Sequence, residues 1–149
     1  MNETRVVLAT SALAVAMSLG VVPAEAASAI QITRVYVNAP GTDTASNASV
    51  NGEYVTLKNT SKSNKTLTGY TLRDESKHVY KFGTLHLSPG ASVKVHTGKG
   101  TNTASKRYMG RSYHIWNNSG GDSATLKSSS GTTQDKCAWS GSVSSYVPC

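Results

Sequence analysis

Catalysis in this chain would have to be assembled from four histidines, His78, His86, His96 and His114, a few acids and one Gly121-Asp122-Ser123 string. A nucleophile needs an oriented base beside it. The Gly-Asp-Ser string is continued by Ala124-Thr125 rather than by two glycines, and there is no Gly-x-Ser-x-Gly elbow. Ser123 therefore reads as a strand-start residue after a turn. No two histidines stand at His-x-His or His-x-x-x-His spacing, so no local metal site is visible. Glycoside cleavage would require two acids across a cleft. Beyond the first 26 residues the acids are Asp43, Glu53, Asp74, Glu75, Asp122 and Asp135. Asp74, Glu75 and Asp122 read as turn residues, and Asp43 lacks the spaced ligand string of a calcium loop. No phosphate-binding glycine loop occurs, and no cofactor or metal is expected.

Basic residues tell more. Lys99, Lys106, Arg107 and Arg111, with His114, fall within Gly98–His114, a stretch without a single acid, and Tyr108 and Tyr113 interleave with them. Cations meet phosphates and rings can stack, so such a segment suits a polyanion. Its competing reading is a basic loop that keeps the protein soluble and its sheet edges unpaired. Lys58, Lys62 and Lys65 read as a solvated hairpin tip.

The elements that position these residues follow from composition and pattern. The 149 residues carry 15 Lys+Arg against 8 Asp+Glu, formally +7, with 38% hydrophobic and 15% charged residues. That balance excludes a disordered polyelectrolyte and fits one domain. Val6–Val22 is almost wholly apolar, and Pro23-Ala24-Glu25-Ala26 ends in small-x-small order. Residues 1–26 thus read as a signal peptide cut after Ala26, with Ala27 as the rival site. The alternative, a membrane anchor, would rest on a run near the lower limit for spanning a bilayer. Cleavage would leave 123 residues with 14 bases and 6 acids, formally +8, as an exported domain with no second spanning segment.

Past Ile30 the pattern has period two. Val55 and Leu57, Tyr80 and Phe82, and Val93 and Val95 alternate with polar neighbours. Thr66–Leu72, Leu85–Leu87, Ser123–Lys127 and Gln134–Trp139 are further short runs, separated by Asn-Gly, Pro-Gly and Gly-rich turns. Ile30–Val37 shifts phase between Ile32 and Val35, which predicts a β-bulge. The expectation is all-β: an immunoglobulin-like antiparallel β-sandwich of about eight or nine strands. Ala39–Asn51 and Gly98–Tyr113 are its long connections. Tyr54, Tyr70, Tyr80 and Phe82 are expected in core or sheet packing, His96 to face outward beside Lys94, and Trp116 to plug the core. Cys137 and Cys149, in an exported chain, predict a disulfide tying the tail to the last strand, worth about 3 kcal/mol. The rival is free thiols or an intermolecular bridge.

Glu53-Tyr54-Val55-Thr56-Leu57-Lys58-Asn59 and Leu67-Thr68-Gly69-Tyr70-Thr71-Leu72-Arg73-Asp74 resemble the opening of the lamin tail domain family. The likeness continues through Val79-Tyr80-Lys81-Phe82, Leu87-Ser88-Pro89-Gly90-Ala91-Ser92-Val93, Thr97-Gly98-Lys99-Gly100, Trp116-Asn117-Asn118 and Gly121-Asp122-Ser123-Ala124-Thr125-Leu126. It covers Ile30 to Trp139 and implies an immunoglobulin-like sandwich, here as a bacterial, secreted, stand-alone member. Three positions depart from the family: Thr56 replaces a usual acid, Lys77 a usual glycine, and Ser119 lengthens the Trp116 loop. Lys77 would then adopt a left-handed turn at a cost of about 1 kcal/mol.

The resulting expectation is a secreted, non-enzymatic binding or scaffold module. It engages an extracellular polyanion (DNA, an anionic wall polymer or an acidic glycan) or a protein partner. Its sites are Lys99, Lys106, Arg107, Tyr108, Arg111, Tyr113 and His114. Two alternatives come from other classes. One is a small hydrolase or nuclease using His96 or His78 with an acid, which requires those side chains to gather at one pocket. The other is an adhesion or assembly protein, which requires an unprotected sheet edge.

Overall fold

The structure, a computed structural model, describes residues 28–149. The leader expected over residues 1–26 lies outside the described residues. Two sheets enclose the core. The first has five strands, β1 (Ile30–Tyr36), β2 (Tyr54–Asn59), β7 (Ser92–His96), β8 (Lys106–Tyr108) and β11 (Tyr146–Pro148), in the order β11-β1-β2-β7-β8. The second has four, β4 (Thr71–Arg73), β5 (Val79–Lys81), β9 (Asp122–Lys127) and β10 (Thr133–Trp139), in the order β10-β9-β4-β5. A minor ribbon pairs β3 (Lys65–Thr66) with β6 (His86–Leu87).

Alternation sets the faces. Ile32, Val35, Val55, Leu57, Val93 and Val95 of the first sheet are buried with Leu72, Ala124 and Leu126 of the second. Phe82 and Trp116 join that cluster, so Trp116 is the expected core plug. The register of β1 on β2 shifts between Ile32 and Arg34, as the phase change predicts. Asp135 Oδ2 accepts from the Ile32 N–H at 2.7 Å and satisfies the backbone at that bulge.

Eleven strands replace the expected eight or nine. Thr66–Leu72 is not one run: it splits into β3 and β4 around a turn in which Gly69 has φ 82°. The Ala39–Asn51 connection contains one helical turn, α1 (Asn47–Val50), capped by Ser46. Gly98–Tyr113 is not wholly loop, because it contains β8. That strand also corrects the all-antiparallel expectation, since β7 and β8 run parallel. Two glycines permit the tight return. Gly98 lies so close to the Asn47 and Asn51 side chains that a Cβ would sit 2.6 Å from Asn51 Oδ1. Gly100 lies against the Tyr108 ring, with no room for a side chain.

Candidate functional site

The structure does not gather the seven basic-segment residues into one patch. Lys99 is exposed on a loop pinned to α1, its carbonyl accepting from Asn47 Nδ2 at 3.0 Å and Asn51 Nδ2 at 2.9 Å. Arg107 turns inward to donate from Nη2 to the Thr84 carbonyl at 2.9 Å. Arg111 reaches the Val79 carbonyl only at 3.5 Å, and the exposed Tyr113 sits edge-on to His78. His114 Nε2 lies 3.3 Å from Ser49 Oγ and 3.7 Å from Asp43 Oδ1. Lys99 and His114 thus both lie against the α1 turn, Arg111 and Tyr113 both against the β5 hairpin, and Lys106 and Tyr108 stand side by side on β8, on the outer face of the first sheet.

On that face the sequence reading missed most of the arrangement. Register puts Tyr146, Tyr36, Tyr54, His96 and Tyr108 directly opposite one another across all five strands. Their rings form a ladder. Tyr36 stacks on Tyr54 at 5.1 Å and on Tyr146 at 5.9 Å, Tyr54 meets His96 at 5.3 Å, and His96 stacks on Tyr108 at 5.2 Å. One step along each strand lies a second row, Arg34, Thr56, Lys94 and Lys106. The Arg34 guanidinium sits 4.3 Å from the Tyr146 ring centre, and Lys94 Nζ sits 4.4 Å from that of Tyr54. His96 does face outward beside Lys94, yet it is half-buried beneath its neighbours. Burial, then the charges of Lys94 and Lys106, hold its imidazole below the usual value, against a bond from Nδ1 to the Asn51 carbonyl at 2.9 Å. The readable signal was an aromatic ring two residues from a cation on three strands of the sheet: Arg34 and Tyr36, Lys94 and His96, Lys106 and Tyr108.

The acids lie elsewhere. Asp122 is not an ordinary turn residue: it is buried and accepts from the backbone N–H groups of Glu75 at 3.1 Å, Asn117 at 3.1 Å and Ser123 at 2.7 Å. Asp74, likewise buried, accepts from the His78 N–H at 2.7 Å and lies 2.6 Å from His78 Nδ1. Glu53, 1% exposed, accepts from the Ile115 N–H at 3.0 Å. Burial lifts its carboxyl from 4.5 to about 7, against the lowering effect of the Ile115 and Trp116 N–H groups. Ser123 is buried too, its hydroxyl donating to Glu75 Oε1 at 3.1 Å. Each of His78, His96 and His114 has its own partners. Among the described residues no group of three or more His, Cys, Asp or Glu is placed to hold a metal ion. Cys137 and Cys149 form a disulfide, their Cα atoms 5.8 Å apart, which ties the tail to β10.

Two packed sheets around one core, with a short-stranded ribbon at the side, make this an immunoglobulin-like β-sandwich. The family described as Lamin Tail Domain matches residues 23–141, and the chain belongs to that family, one of non-catalytic domains. No curated protein matches the chain.

Proposed function

We propose that the chain is an exported, non-enzymatic module that binds an extracellular polyanion, with the basic segment 98–114 contributing to the binding surface. The observation that carries this reading is the placement of β8. It brings Lys106 and Tyr108 beside Lys94 and His96, on a sheet face that holds no acid. Export rests on the leader over residues 1–26. The Cys137–Cys149 disulfide suits an oxidising destination. Among the described residues no helix is long and apolar enough to cross a membrane. Binding is favoured over hydrolysis because His78, His96 and His114 engage separate partners, and Ser123 is buried with its hydroxyl bonded to the Glu75 carboxylate rather than to a histidine.

Fluorescence anisotropy tests the reading, with labelled duplex DNA and a sulfated glycan as probes at low and near-physiological salt. Binding that weakens steeply with salt, and weakens further in the K99Q/K106Q/R111Q variant, supports it. Absence of binding to either probe at low salt overturns it. Arg107 is left unchanged, because its guanidinium serves the fold at Thr84.

A further inference from the structure

We propose that the outer face of the first sheet is the binding face, and that its ligand is a single extended phosphodiester strand, single-stranded DNA, laid across the strands along the Arg34–Lys94–Lys106 row. This rests on the polyanion reading and narrows it to one surface and one chemistry.

Charge makes the first argument. All six acids of the described residues point away from this face or are buried. Glu53, Asp74 and Asp122 are enclosed, Asp43 faces His114, Asp135 holds the β1 bulge and Glu75 faces Ser123 and Lys136. The cations of the row therefore have no carboxylate partner. Arg34, Lys94 and Lys106 occupy β1, β7 and β8 at one level of the sheet, with the Thr56 hydroxyl between them on β2. With strands about 4.8 Å apart, the row extends about 14 Å.

The aromatic ladder supplies the second argument, through the geometry of its rings. Three of the four contacts are stacked, at 13° between Tyr36 and Tyr54 and at 19° both between Tyr36 and Tyr146 and between His96 and Tyr108, while Tyr54 meets His96 tilted at 53°. Gly100 closes over Tyr108 at one end, and Arg34 lies over Tyr146 at the other. Most ring faces are thus already covered, which leaves little platform on which sugars or bases would stack. Recognition falls to charge and to hydroxyl groups, and Arg, Lys, Thr and Tyr are the side chains that contact phosphate oxygens. One file of cations fits one chain. A duplex presents its phosphates on two strands flanking a groove about 6 or 12 Å wide, and no second cationic file stands at that distance on this face.

The experiment is anisotropy with labelled oligo(dT), a duplex of equal length and a sulfated glycan, on the purified protein and three variants. R34Q/K94Q removes two cations that lie outside the basic segment. T56E leaves every cation in place but sets a carboxylate between Arg34 and Lys94. K99Q/R111Q changes the loop alone. Oligo(dT) should bind more tightly than the duplex, with log K falling by about 2 per tenfold rise in salt. R34Q/K94Q should weaken binding roughly tenfold and flatten that slope by about 1.4. T56E should weaken it comparably and K99Q/R111Q hardly at all, with melting temperatures shifted by no more than a few degrees throughout. If K99Q/R111Q abolishes binding while R34Q/K94Q and T56E leave it intact, this inference fails and the loop is the site. Preference for the duplex or the glycan also overturns it, yet leaves the broader reading standing. No binding to any probe at low salt defeats both.

Discussion

Half of the acids of this domain and most of its lysines occupy opposite settings. Three of its six acids, Glu53, Asp74 and Asp122, are almost wholly enclosed, and each accepts hydrogen bonds from backbone N–H groups of a loop or hairpin. The bases Lys58, Lys94, Lys99 and Lys106 are exposed and unpaired with any carboxylate. A carboxylate is the natural acceptor for converging N–H groups that would otherwise be buried without a partner. Acids used this way contribute to the fold from inside and leave the outer face of the first sheet to the cations. Glu53 strengthens the asymmetry, because a carboxyl titrating at about 7 is only partly ionised at neutral pH. The domain, with 14 bases against 6 acids and formally +8, is therefore more positive near neutral pH than that count implies.

The largest effect expected from disturbing the interior set comes from Asp122→Ala. It strands the N–H groups of Glu75, Asn117 and Ser123, at a cost of about 4 kcal/mol. Urea denaturation measures this, and a loss below about 1 kcal/mol would mean the loops do not depend on that carboxylate. Glu53→Gln comes next and reads out in pH. Between about pH 4.5 and 7 the unfolded chain releases the Glu53 proton while the folded chain retains it. Stability must then fall as pH rises through that window, by on the order of 3 kcal/mol, and level off above it. His96 works the other way. Its depressed value means that only the unfolded chain takes up a proton as pH drops below the usual imidazole range, so stability falls on acidification. In E53Q the Glu53 slope disappears, and stability should rise with pH up to about 6.5. Coincident pH profiles for the two proteins would show that Glu53 titrates as an ordinary carboxylate.

The sequence made one half of this contrast easier to read than the other. Period-two runs located β1, β2, β7, β9 and β10, and the phase change at Ile32 located the bulge, because faces of a strand are dictated by neighbours in the chain. Basic residues were visible as a segment for the same reason. The ladder was not, since Tyr36, Tyr54, His96, Tyr108 and Tyr146 meet only through the register of five strands. β8 escaped detection because Lys106-Arg107-Tyr108 has no apolar alternation. Its pairing depends on the return at Gly98 and Gly100 and on Tyr108 stacking against His96. The buried roles of Asp74 and Asp122 were hidden too: a carboxylate beside glycine or in a hairpin looks the same whether it faces water or a convergence of N–H groups.

Lys77→Gly sharpens the interior half of the comparison. Lys77 holds φ 68° in the hairpin that Asp74 and His78 close. Glycine there removes the left-handed strain, and a net gain of about 1 kcal/mol is expected from denaturant midpoints. Loss of stability instead would mean that the Lys77 side chain, not its backbone, matters to the turn.

On the exterior half the expected stability effect is smallest, and that is what gives it value. Lys94→Gln removes an ammonium that lies over the Tyr54 ring but holds no loop and satisfies no buried group. An exposed cation–π contact contributes about 0.5 kcal/mol, so the melting temperature should shift by only a few degrees. A destabilisation as large as that of Asp122→Ala would erase the distinction, for the cationic row would then be part of the scaffold. A near-silent melt leaves Lys94 with no structural reason to stand over an aromatic ladder on an acid-free face. Such a result is what the proposed phosphate row requires: an ammonium held over a ring and left free of any carboxylate.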